Sequence, residues 1–257
     1  MKYKPKNAER SELMEKRELY IKGLTIGWDR VDKDSYIRTI PAVTSCNTLV
    51  FRKPVTCFVG ENGSGKSTLL EAIAVAYGFN PEGGTRNYSF STYDSHSELC
   101  DAIRLIKGAY RAGWGYFLRA ESFYNVATRE MDYADARHPS LRLHERSHGE
   151  SFFAVAQRNF QPNGVYLLDE PEAALSPQRQ LTLLAEIAHC AAAGSQFILV
   201  THSPILLGMP DAEILSFDGK KIHPISYEET DSYRVTKMFL EDRKRLLHQL
   251  MYKEDED

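Results

Sequence analysis

Val55-Thr56-Cys57-Phe58-Val59-Gly60-Glu61-Asn62-Gly63-Ser64-Gly65-Lys66-Ser67-Thr68 is the stretch that decides how this chain is read. Val55–Val59 is an apolar run closed by a glycine, the pattern of a buried strand. From Lys66 to Tyr77 apolar residues recur at helical spacing and stop at Gly78, so a helix is expected there. Between the two, Gly60 to Ser67 fits G-x-x-x-x-G-K-[ST] in full, with a strand before it and a helix after it. Glycines let the backbone fold tightly enough for successive N–H groups to point at phosphate oxygens. The helix that follows aims its positive end at the same place. Lys66 adds a point charge for the β- and γ-phosphates, and the Ser67 hydroxyl suits Mg²⁺. Gly60, Glu61, Asn62, Gly63, Ser64, Gly65, Lys66, Ser67 and Thr68 are therefore the expected nucleotide-binding residues.

Downstream, Val165-Tyr166-Leu167-Leu168-Asp169-Glu170 is an apolar strand ending in two carboxylates. A strand buried on both faces delivers Asp169 to the carboxyl edge of the sheet, where phosphate ligands collect. Asp169 is expected to hold Mg²⁺, and Glu170 to polarise an attacking water as general base. A second buried strand, Phe197–Val200, leads into Thr201-His202-Ser203. Ser147-His148-Gly149-Glu150-Ser151 precedes an amphipathic helix, and Ser147 with Glu150 also reads as a capping box.

These four marks, in their order along the chain, resemble the ABC-type ATPases over residues 20–226. Leu167-Leu168-Asp169-Glu170-Pro171-Glu172-Ala173-Ala174-Leu175-Ser176 resembles their acidic box and the loop after it, which in the family crosses to the partner subunit. The resemblance makes Glu170 catalytic and makes His202 the residue that contacts the γ-phosphate and positions water. Ser147, Gly149 and Glu150 resemble the family signature serine–glycine–glycine–glutamine, with His148 at the first glycine. In the family that surface caps the γ-phosphate of the opposite subunit, which implies a homodimer sandwiching two ATP molecules. One departure is evident: the family's Mg²⁺-binding loop glutamine has no counterpart in Asn87–His96. Either Ser91, Asp94 or His96 substitutes, or the contact is absent. Trp28 and Tyr36 are candidates for stacking on adenine; both are equally compatible with core or surface positions.

Between Lys66 and Ser147 there is room for a compact lobe but not for the long coiled coil of an SMC arm. The resemblance is to short stand-alone bacterial ATPases related to RecF and to the overcoming-lysogenisation-defect heads. The expected fold is accordingly α/β, a P-loop NTPase of ABC ATPase type, with a mixed sheet flanked by helices and an inserted helical subdomain. The expected lobes are 1–84 with the phosphate loop, 85–155 as the helical insert, and 156–257 with the acidic box, His202 and a C-terminal helix. The expected activity is ATP hydrolysis coupled through dimer closure to an unidentified protein partner, in DNA maintenance or phage defence. Two other readings fit the marks: the nucleotide-binding subunit of a transporter, and a slow ATP-dependent switch.

Composition adds boundaries. The 257 residues are 26% charged and 42% hydrophobic, ordinary for a globular chain. A net charge of −3 gives no bulk attraction to nucleic acid. The basic run Arg243-Lys244-Arg245 is a solvated helix face or a nucleic-acid contact. No run of about 18 apolar residues occurs, so membrane insertion is not expected. Cys46, Cys57, Cys100 and Cys190 lack any CxxC pairing and are expected to be buried, reduced thiols in a cytoplasmic protein. Secondary-structure patterning predicts strands at 21–28, 36–40, 48–51, 212–217 and 221–225, the last two joined by an Asp218-Gly219 hairpin. It predicts helices at 97–112, 120–131, 151–160, 177–192 and 232–251.

Overall fold

The computed structural model of the chain describes residues 18–85, 97–119, 148–173 and 175–251, with the side chains of 148–153 left undescribed. In chain order the first part comprises β1 (Ile21–Ile26), α1 (Pro41–Thr44), β2 (Thr48–Val50), β3 (Val55–Val59), α2 (Lys66–Tyr77), β4 (Gly84–Thr85), α3 (Leu99–Ala102), β5 (Ile103–Lys107) and β6 (Trp114–Arg119). The second part comprises α4 (His148–Asn159), β7 (Gly164–Asp169), α5 (Pro177–Ala192), β8 (Gln196–Val200), α6 (Pro204–Leu207), β9 (Glu213–Ser216), β10 (His223–Ile225), α7 (Asp231–Glu241) and α8 (Arg243–Met251).

Among the described residues the strands form two sheets. The larger runs β10-β9-β3-β8-β7-β6-β4. Its centre, from β9 to β6, is parallel, and β10 and β4 close its edges antiparallel. The smaller sheet, β2-β1-β5, is antiparallel throughout. The fold is thus a mixed α/β sheet with helices against it.

Parallel strands covered on both faces must be apolar at successive positions, not at alternate ones. β7 and β8 meet that demand: Val165, Leu167, Ile198 and Val200 pack toward α2 and the smaller sheet. Tyr166, Leu168, Phe197 and Leu199 pack toward α4, α5 and α6. Two apolar cores therefore sandwich the sheet. The buried Tyr166 ring stacks on Phe197, and its hydroxyl accepts from the Gln161 N–H at 2.6 Å. Gln196 joins the two sheets: its amide accepts from the Ile21 N–H at 2.9 Å and donates to the Ile21 carbonyl at 2.8 Å.

The strands at 165–168 and 197–200 and the helix at 177–192 form as expected, and so does the hairpin at Asp218-Gly219. Four readings differ from the structure. Residues 36–39 form a 3₁₀ turn and not a strand. Residues 97–112 hold only the short α3; β5 follows and pairs along β1 from Lys107 to Ile103. β6 was not foreseen, because glycines at 113 and 115 mask the start of an aromatic-rich strand. In both sheet regions partner strands override the local pattern. The helix expected at 232–251 is divided into α7 and α8 at Asp242, whose φ/ψ of −142°/62° is not helical. The helix expected at 120–131 lies outside the described residues, as do Ser147, Asn87–His96 and Ala174.

Candidate active site

The phosphate loop joins β3 to α2 at the carboxyl edge of the larger sheet. Gly65 sits at φ 92°, and a Cβ there would lie 2.7 Å from Val43 Cγ2 and 2.9 Å from Ile40 Cγ2. Positive φ and this close approach both require glycine. Gly60, at φ 140°, leaves room for the Asp218 carboxylate, whose Oδ1 accepts from the Glu61 N–H at 2.8 Å. Asp218 in turn accepts from the Ser216 hydroxyl at 3.3 Å. The β9–β10 turn therefore holds the mouth of the loop, a role invisible in a dipeptide read only as a hairpin signal.

Lys66 is buried at the first turn of α2, and its ammonium donates to the Gly60 carbonyl at 2.6 Å and the Glu61 carbonyl at 2.7 Å. Burial pushes its pKa down, while the negative charges of Asp218, Glu170, Asp169 and Glu61 act to raise it. Its chain neighbour Ser67 donates its hydroxyl to Asp169 Oδ1 at 2.8 Å. Residues more than a hundred positions apart in sequence are thus brought into contact because β7 and β3 both run parallel to β8, which lies between them.

Glu170 follows β7 with φ 47°, a left-handed conformation unusual for a residue with a side chain. Its N–H donates to the Val200 carbonyl at 2.9 Å, which turns the chain sharply after Asp169. Glu170, His202, Glu61 and Asn62 together line an open cleft of about 480 Å³. The loop's tip, the second acid and the histidine thus share one space. On the other side of the loop, Ser67 and Thr68 line a cleft of about 530 Å³ with Ser35, Tyr36, Glu71 and Arg119. Tyr36 is exposed there, whereas Trp28 donates to the Cys46 carbonyl at 3.2 Å and has the Arg38 guanidinium 5.5 Å from its ring centre. Of the two aromatic candidates, Tyr36 is the one that faces a cleft.

Arg119 and Glu71 form an ion pair at 2.8 Å in that second cleft, with Arg119 directly across from Asp169 in the β6–β7 register. Sequence reasoning missed both residues, since neither belongs to a motif. Gly149 and Glu150 fall in the first turn of α4, with undescribed side chains, and Ser147 lies just before the described part. The four cysteines are buried free thiols; burial and the Glu172 charge push Cys57 up to about 12.

Among the described residues no group of three His, Cys, Asp or Glu side chains is arranged to hold a metal by itself. Ser67 and Asp169 do suit Mg²⁺. It takes oxygen donors, and typically uses one or two protein groups, with phosphates and water completing its shell. No described helix is long and apolar enough to cross a membrane.

Two family models match the chain. One, described as "AAA domain", matches residues 37–112. The other, described as "AAA domain, putative AbiEii toxin, Type IV TA system", matches residues 118–208. Among solved structures, the SMC head domain from Thermotoga maritima is similar at 17% identity, with 81% of this chain and all of that chain covered and a TM-score of 0.43. A "putative metal-chelate type ABC transporter" in an inward-facing conformation is similar at 16% identity, with 76% and 81% covered and a TM-score of 0.41. An Smc head domain with a coiled coil and joint, derived from Pyrococcus yayanosii, is similar at 24% identity over 38% of this chain and 20% of that one, with a TM-score of 0.28. No curated protein sequence matches the chain.

Proposed function

We propose that this chain, a P-loop ATPase of the AAA/ABC type, hydrolyses ATP with Mg²⁺ between two copies of itself. The closing of the dimer then works on a protein partner in the cytoplasm. The observation that carries the reading is the convergence of the phosphate loop with both downstream motifs. Ser67 meets Asp169 at 2.8 Å, and Glu170 and His202 share a cleft with the loop residues Glu61 and Asn62.

Each residue then has a defined task. Backbone N–H groups of Gly60–Ser67 and the first turn of α2 receive the phosphate oxygens. Lys66 exchanges its carbonyl partners for the β- and γ-phosphates. Ser67 and Asp169 would hold Mg²⁺, which would supply positive charge to neutralise the phosphates. Glu170 accepts a proton from the attacking water, and His202 hydrogen-bonds the γ-phosphate and steers that water. Ser147, Gly149 and Glu150 of a second copy complete the pocket. Most of the rate acceleration is then positioning and charge stabilisation.

Glu170→Gln removes the base while keeping the shape, so this variant accumulates an ATP-bound dimer. Sedimentation velocity with and without ATP and Mg²⁺ reads the outcome. A Glu170→Gln chain that stays monomeric at saturating ATP overturns the two-copy site. Proteins retained on the trapped dimer identify the partner.

A further inference from the structure

The acid that follows the acidic box belongs to no task assigned above, yet it touches the histidine segment directly. Glu172 lies in the turn after Glu170, closed by the Ala173 N–H on the Glu170 carbonyl at 3.1 Å. Its Oε1 accepts from two successive backbone groups, the His202 N–H at 2.5 Å and the Ser203 N–H at 3.1 Å. Charge-assisted acceptance of this kind is about twice as strong as a neutral bond. Its Oε2 is buried and has no hydrogen-bond partner among the described residues. A buried, half-satisfied carboxylate is costly to keep, and a fold optimised for stability alone has no need of it.

A second tie runs parallel to the first. The Gln180 side chain donates to the Leu175 carbonyl at 2.9 Å and accepts from the Ser203 hydroxyl at 2.6 Å. The His202 imidazole itself is exposed and makes no hydrogen bond or ion pair among the described residues. Its position is therefore set through its backbone, and the backbone is held by Glu172.

We propose that Glu172 is a positioning residue that locks His202 to the turn carrying Glu170, so that the base and the histidine move as one unit. The inference rests on His202 acting at the γ-phosphate. A displacement of about 1 Å in such a group costs on the order of a hundredfold in rate. Nucleotide binding, which is made mainly at the phosphate loop, changes little.

The test compares steady-state hydrolysis by Glu172→Ala, Glu172→Gln, His202→Ala and the Glu172→Ala/His202→Ala double variant. Affinity for a non-hydrolysable ATP analogue and thermal unfolding are followed in parallel. Glu172→Ala lowers kcat by about 10- to 100-fold with analogue affinity within twofold of wild type. Glu172→Gln, which keeps an oxygen acceptor at Oε1, restores at least a third of the rate. The double variant is no slower than His202→Ala, because both changes remove one function. Multiplicative losses in the double variant, or a Glu172→Ala loss carried wholly in KM, overturn the proposal. If Glu172→Ala does not fold, Glu172→Asp, whose shorter side chain draws the carboxylate back from the His202 N–H, carries the same comparison with and without His202→Ala. A His202→Ala enzyme with wild-type turnover refutes the proposed role of His202 itself; an impaired His202→Ala beside an unimpaired Glu172→Ala refutes the positioning role alone.

Discussion

Replacing Lys66 by methionine keeps the volume of the side chain and removes its charge and donors. The expected cost follows from the bonds Lys66 makes without nucleotide and those proposed with it. The ammonium makes two short bonds to neutral carbonyls, Gly60 at 2.6 Å and Glu61 at 2.7 Å. A bond from a cation to a neutral carbonyl contributes about 1.5 kcal/mol, and one to an anionic oxygen about 3 kcal/mol. ATP binding replaces two of the first kind by two of the second, a net gain of about 3 kcal/mol attributable to Lys66. At about 1.4 kcal/mol per decade, Lys66→Met weakens ATP binding by about 100-fold. Equilibrium titration with a fluorescent ATP analogue measures this directly, and circular dichroism confirms that the variant is folded. A dissociation constant within threefold of wild type refutes the assignment of Lys66 to the phosphates.

Three further outcomes follow from the same geometry. Because burial lowers the pKa of Lys66, the unfolded chain holds the extra proton over the alkaline window just below the ordinary value of 10.5. Its contribution to stability therefore rises with pH in that window while nucleotide affinity falls, and both trends vanish in Lys66→Met; melting and titration from about pH 8 to about pH 10 check the pair. Glu170→Gly relieves the left-handed strain at φ 47°, so hydrolysis is lost while stability rises by about 1 kcal/mol, an increase in Tm of roughly 2–4 °C by calorimetry. Gln196→Ala leaves the Ile21 N–H and carbonyl unpaired in a buried position, which lowers stability by about 2 kcal/mol in urea unfolding.

The elements proposed to carry the chemistry were the most legible in the sequence. The phosphate loop is fixed by glycines and a lysine at set spacing. β7 and β8 are continuous apolar runs because both their faces are covered. α5 starts at Pro177 after the Ser176 cap and ends at Ala192, where its spacing ends. What was hidden depends on partners remote in sequence. β5 is a strand because β1 offers it an edge, and Ile103-Arg104-Leu105-Ile106-Lys107 has no alternation strong enough to announce this alone. Asp218 looked like half of a turn, and only the fold brings it to the Glu61 N–H. Glu172 looked like one more acid after the acidic box, and its link to His202 exists only because β7 and β8 end side by side.

In the proposed mechanism Glu170, at the end of β7, activates water for attack on a nucleotide held by the loop at Gly60–Thr68. Phosphate release from ATP, measured side by side for the wild-type chain and Glu170→Gln at saturating Mg²⁺, tests it most directly. Steady release is expected from the wild type and a loss of at least a hundredfold in the variant, with ATP affinity retained. Equal rates for the two chains contradict it.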